Sequence, residues 1–137
     1  MRPSKQGLDA GLVTADIEGS LRFYVDVLGL EYVEQLAIPW GTMHRLRFGA
    51  SWLKLVDPSG EAGPSGPHGL DAAVGIRYLT FEIDDLDETW ARAVASGAPI
   101  FHDLGPFGSS GLVMGMVHDP DGNVVELLYR PPSAAVR

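Results

Sequence analysis

The chain contains no cysteine. That single absence removes disulfides, thiolate zinc sites and every cysteine nucleophile from consideration. Cationic residues are scarce, with ten Lys and Arg against eighteen Asp and Glu and a net charge of -8. A nucleic-acid surface needs clustered Lys and Arg, so the composition argues against that partner. No apolar run approaches the length of a membrane span, and Met1-Arg2-Pro3-Ser4-Lys5 lacks the apolar segment of a secretory signal. The expectation is a cytoplasmic protein with neither nucleic-acid nor membrane partners. A serine nucleophile elbow is also missing, and Gly108-Ser109-Ser110-Gly111 precedes no helix, so it reads as a loop rather than a phosphate cradle.

What is present is enough for one folded domain over 1–137, with 45% hydrophobic and 20% charged residues. The most informative stretch is His118-Asp119-Pro120-Asp121-Gly122-Asn123, followed by Val124-Val125-Glu126-Leu127-Leu128-Tyr129. The first part reads as a tight turn in which Gly and Asn take up positive φ, and the second as a strand. Glu126 lies among apolar neighbours, where a carboxylate is costly unless it is paired, coordinated or in a wet cavity.

The sequence repeats internally. Leu12 to Asp16 and Phe81 to Asp85 each read as a strand ending at an Asp that can cap a helix. Behind them, Ile17, Leu21, Tyr24, Val25 and Leu28, and then Leu86, Trp90, Ala93 and Val94, follow helical spacing. Asp85 with Glu88 has the pattern of a capping box, and Gly29 and Gly97 stand where the helices should stop. Three strands are predicted after each helix: near Tyr32–Gln35, Met43–Phe48 and Trp52–Val56, then near Ile100–Phe101, Leu112–Val117 and Val124–Tyr129. The predicted class is α+β, with two βαβββ modules in tandem. Module 1 spans about 7–57 and module 2 about 74–131, joined by a Gly/Pro/Ser-rich linker over about 58–73, and the expected form is a cupped, barrel-like mixed sheet with helices outside.

Strand parity separates a helix-facing side from an open side. It places Tyr78, Thr80 and Glu82 opposite Leu79, Phe81 and Ile83; Lys54 with Trp52 and Val56; Glu126 with Val124 and Leu128; and Asp9 with Gly11 and Val13. Asp9, Lys54, Tyr78 and Glu126 thus form a candidate constellation. Glu82 has Arg77 or Arg45 as a possible partner, and His118 is read as a brace for its turn. His68 and His102 receive no role.

Paired modules of this kind, with Ser20-Leu21-Arg22-Phe23-Tyr24 in the first helix and Asp119-Pro120-Asp121-Gly122-Asn123 near the end, resemble the vicinal oxygen chelate superfamily. That group includes glyoxalase I, methylmalonyl-CoA epimerase, extradiol dioxygenases and bleomycin-type resistance proteins. The resemblance covers about residues 7–131. It implies a divalent metal held by one ligand from each of four strands, at Asp9, Lys54, Tyr78 and Glu126. Only Glu126 matches the usual ligand type. An ammonium has no lone pair for a metal. Lys54 in place of a carboxylate changes the local charge by two units, which at ~4 Å and an effective dielectric of ~20 repels a dication by about 8 kcal/mol. A phenol such as Tyr78 is a poor ligand near neutral pH.

The reading from sequence is therefore a small-molecule-binding member that needs no metal or cofactor, with a small aromatic or cationic compound in the sheet cavity. Lys54, Tyr78, Glu126 and Asp9 are the candidate chemical groups. Trp40, His44, Trp52, Thr80, Glu82 and Phe107 are the candidate ligand contacts. One alternative is a metal-independent isomerase, epimerase or lyase in which Lys54 stabilises an enolate while Tyr78 or Glu126 moves a proton. A second is a metal enzyme with Asp9, His44 and Glu126 as substitute ligands. Whether catalysis occurs stays open at this level. Exposed sheet edges suggest a homodimer.

Overall fold

The computed structural model describes residues 1–132, which form eight strands, two α-helices and one π-helical segment. The chain divides into two compact units, residues 1–64 and 65–137, with the boundary inside the predicted linker. Each unit is a βαβββ module, so the α+β class and the tandem repeat are as the sequence indicates.

In the first unit, β1 (Ala10–Val13) leads into α1 (Ile17–Leu21), and then come β2 (Glu31–Ile38), β3 (Gly41–Phe48) and β4 (Ser51–Pro58). The strand order is β1-β4-β3-β2, with β1 parallel to β4 and the other pairs antiparallel. Asp16 caps α1 by accepting the Gly19 N–H at 2.9 Å. The helix does not continue regularly. It passes into a π-helical turn over Arg22–Val27, in which the Leu28 N–H reaches back five residues to the Phe23 carbonyl. The extra residue in the turn rotates the inward stripe, so Phe23 and Tyr24 are buried while Val25 and Leu28 remain partly exposed. A strict helical spacing does not anticipate that shift.

The second unit repeats the plan with β5 (Tyr78–Glu82), α2 (Leu86–Ala95), β6 (Ile100–Phe107), β7 (Leu112–His118) and β8 (Val124–Tyr129), ordered β5-β8-β7-β6. Neither four-stranded sheet closes on itself. Here the expected capping box is not made, because the Asp85 side chain accepts no capping hydrogen bond. Val94 is exposed, and Leu86, Thr89 and Ala93 are the buried positions of α2. Trp90 instead lies on the sheet, directly over Gly115 of β7. Gly29 and Gly97 do end the helical segments, both with positive φ.

The Asp119–Asn123 turn differs in detail from expectation. Gly122 takes the positive φ of 86°, but among the described residues no non-glycine residue does. Asn123 acts through its side chain, donating to Asp119, whose buried carboxylate also accepts the Asp121 and Asn123 backbone N–H groups. His118 braces this turn through an Nδ1 contact of 3.0 Å to the Gly122 carbonyl. Among the described residues no helix is long and apolar enough to cross a membrane.

Candidate functional site

The register of the first sheet sorts its side chains into rows. On the face carrying Lys54, one row runs Gly11, Lys54, Arg45, Glu34 across β1, β4, β3 and β2. The next row toward the end of β1 is Val13, Val56, Met43, Leu36, all apolar. Beyond Lys54 on the other side lie Asp9, Trp52, Arg47 and Glu31. Asp9 precedes the regular strand and joins it by accepting the Trp52 N–H at 2.9 Å.

The charges on this face are almost all paired. Arg45 meets Glu34 at 2.5 Å, Arg47 meets Glu31 at 3.3 Å, and Lys5 meets Asp9 at 2.5 Å. The Lys5 hydrogen bond, followed by the Trp52 N–H, holds the Asp9 carboxyl below the usual carboxylate range, with Lys54 adding a smaller attraction. Both arginines also stack on Trp52, with guanidinium carbons 3.9 Å and 4.7 Å from the ring centroid. Within its unit, Lys54 forms no ion pair.

His44 stands on the other side of this sheet. It is paired with Leu55, not Lys54, and it is buried and bonded through Nδ1 to the Tyr32 hydroxyl at 3.1 Å. A ligand-contact or metal-ligand role beside Lys54 is therefore incompatible with its position. Trp40 lies in the β2–β3 turn with its ring largely exposed.

The second sheet has corresponding rows on the face opposite Trp90. Thr80, Glu126, Met116 and His102 form one, and Glu82, Leu128, Met114 and Gly105 the next. The Thr80 hydroxyl donates to Glu126 at 2.8 Å. Around Glu126, Met114, Met116 and Val124 form a buried apolar cluster with Leu128 packed against it. Tyr78 is half-exposed at the start of β5, and Phe107 is exposed at the end of β6. Glu82 pairs with Arg130 at 3.1 Å, not with Arg77 or Arg45. Arg77 donates to the Gly69 and Pro67 carbonyls, and Arg45 is taken by Glu34.

Two groups on these faces received no site role from the sequence, where Arg45 entered only as a possible partner of Glu82 and His102 was left without a role. Arg45 was detectable: β3 and β4 meet at the two-residue turn Gly49-Ala50, and counting back from it places Arg45 opposite Lys54. His102 was not, because bulges on both sides of it break the alternation along β6. Away from both faces, a groove of about 430 Å³ beside the start of α2 carries Asp84, Asp85, Asp87 and Glu88.

The family model of the glyoxalase/bleomycin resistance protein/dioxygenase superfamily matches residues 8–127. The chain belongs to that superfamily. Among its relatives in the superfamily, the lactoylglutathione lyase of Neisseria meningitidis serogroup A is 27% identical over 124 residues, covering 87% of this chain and 86% of that protein. The crystal structure of lactoylglutathione lyase from Agrobacterium tumefaciens aligns with a TM-score of 0.64 and 30% identity, covering 93% and 96% of the two chains. A glyoxylase/bleomycin resistance protein/dioxygenase domain from Frankia sp. EAN1pec aligns with a TM-score of 0.76 at 17% identity, a likeness of fold.

The donor set does not fit the superfamily's divalent metal. In the first unit, Lys54 offers no lone pair, and the Asp9 oxygen that faces the strand is held by the Trp52 N–H and Lys5. In the second, Glu126 is the one carboxylate among the positions that the resemblance implied as ligands, and the Thr80 hydroxyl donates to it. Among the described residues, no three His, Asp or Glu side chains are grouped to hold a metal ion.

Proposed function

We propose that this chain is a small-molecule-binding member of the superfamily that works without a divalent metal. The observation that carries the reading is Lys54, a cation with no ion pair in its unit, at a position where the superfamily uses a metal-binding side chain. An ammonium supplies positive charge to a ligand without the coordination geometry that a metal requires. Trp40, Tyr78 and Phe107, all exposed, are among the aromatic surfaces available for stacking. Trp52 is less available, since Arg45 and Arg47 already cover its ring.

The test is native mass spectrometry of the purified protein before and after EDTA. A small organic molecule retained through chelation, with substoichiometric Zn, Ni, Mn and Fe by elemental analysis, supports the reading. One equivalent of metal, lost in Glu126→Ala, overturns it.

A second reading rests on the Thr80–Glu126 hydrogen bond. A carboxylate oriented by a hydroxyl and bordered by Met116 and Val124 is suited to moving a proton on a bound carbon acid. The relatives named lactoylglutathione lyase make lactoylglutathione the first substrate to assay. Metal-free turnover abolished by Glu126→Gln favours this enzyme reading over binding alone.

A further inference from the structure

We infer that the open face of the first sheet is a receptor for an amphipathic organic acid, with the carboxylate beside Lys54 and the apolar body along Val13, Val56, Met43 and Leu36. The inference rests on the metal-independent reading above and names its ligand class.

Charge comes first. Lys5 with Asp9, Arg47 with Glu31 and Arg45 with Glu34 neutralise one another on this face. Lys54 remains without an ion pair in its unit, with only a weak attraction to Asp9, in a chain of net charge -8. Its cross-strand neighbour Arg45 is already engaged by Glu34, so Lys54 is the cation of this row left to meet a ligand. A cationic ligand would be repelled by it, which makes the charge of the ligand negative.

Space comes next. On the other side of Lys54 is Gly11, which is exposed, and a Cβ built there would meet nothing within 4 Å. The φ at Gly11 is not positive, so no turn geometry demands the glycine. Its effect is to leave a notch one side chain wide, next to the ammonium.

The apolar row then sets the rest of the molecule. Val56 lies two residues beyond Lys54, ~7 Å along the strand. Its row crosses four strands with no polar side chain, a width of ~14 Å. Val13 and Leu36 at its two ends are exposed and Met43 is partly so, while Val56 between them is buried, so the apolar body would rest on the ends of the row and on Met43. A carboxylate joined to an aryl or medium alkyl body matches this spacing. A free inorganic anion would leave the apolar row unused, and a neutral hydrocarbon would leave Lys54 unused.

The experiment is calorimetric titration of the full chain with 2-naphthoate, 2-naphthylmethanol and 2-naphthylmethylamine, each with and without EDTA. Naphthoate should bind best, and Lys54→Met should weaken it about tenfold or more, as expected for losing a charged hydrogen bond, while leaving the alcohol unchanged. Lys54→Arg should restore most of the affinity, and Gly11→Leu should block binding by filling the notch. In the unmodified protein, naphthoate should shift the Gly11 amide resonance, a readout independent of how the variants fold. The inference fails if the amine binds better than the acid, if no probe binds at millimolar concentration, or if Lys54→Met leaves naphthoate binding intact. Naphthoate binding abolished by EDTA would overturn the metal-independent reading itself, whatever Lys54→Met does. EDTA-resistant binding that ignores Lys54 would overturn only the acid receptor.

Discussion

Replacing Gly115 with alanine should destabilise the protein, although alanine is ordinarily the better residue in a strand. A Cβ at Gly115 would lie 2.5, 2.8 and 3.0 Å from three carbons of the Trp90 ring. Carbon atoms settle at ~3.5–4.0 Å, so the overlap is about 1 Å against a rigid indole. Overpacking of this kind costs ~1–3 kcal/mol. Removing a strand glycine returns ~0.5–1 kcal/mol. The net loss should be about 1–2 kcal/mol, or roughly 3–8 °C in Tm for a chain of this size. Urea unfolding followed by circular dichroism measures it, with an unchanged m-value showing that the effect is on stability. Trp90→Phe in the same background should recover part of the loss, since the smaller ring vacates the overlap. Gly11→Ala is the control, having no neighbour to strike. A Gly115→Ala protein as stable as its parent would mean that Trp90 does not rest on β7. The outcome reaches the candidate site, because Gly115 is paired with Leu127 and lies next to Met116, the neighbour of Glu126.

Other expectations follow from the same contacts. Asp119→Ala should cost about 2 kcal/mol in thermal or urea unfolding, since a buried carboxylate that accepts two backbone N–H groups and the Asn123 amide is lost. Asp9 should titrate below an ordinary aspartate by NMR, and Lys5→Ala should raise it toward the normal value. Its folded pKa is depressed, so its contribution to stability is present above the unfolded pKa and is lost as pH falls through the folded one. Light scattering should give twice the 14.7 kDa chain mass at micromolar concentration, because the edge strands of both open sheets invite pairing.

Much of the fold was legible because it is repeated. Asp16 and Asp85 each follow a strand and open a helix, and Gly29 and Gly97 each end a helical segment. Parity along β5, β4 and β8 correctly separated Thr80 from Phe81, Lys54 from Leu55 and Glu126 from Leu127. What sequence could not supply was the contents of each row across the strands. A row depends on register, and register depends on turns and bulges that leave weak traces in the sequence. Lys54 is visible as an anomaly in one strand, but its isolation emerges only when Glu34 is seen to occupy Arg45. His44 illustrates the converse: a histidine near the right place in the chain points to the helix side, where the Tyr32 hydroxyl engages it. The π-helical turn likewise moved Phe23 inward against the periodic pattern.

The segment joining the two modules is not uniform along its length. From Ser65 onward it is fastened to the second module: the Ser65 hydroxyl donates to the Asp121 carbonyl, His68 covers Gly122 so closely that a Cβ there would approach its ring to 2.5 Å, and Arg77 ties down the carbonyls of Pro67 and Gly69. Residues 59–64 carry only one backbone bond of this kind, from the Ser59 N–H to the Trp40 carbonyl. Added residues or a protease cut at Gly60 to Gly63 would leave those fastenings intact. The same change at His68 would uncover the turn that launches β8 and Glu126. The connection should therefore tolerate insertion or cleavage at its beginning better than at its end, because its later part is a strap that belongs to the second module.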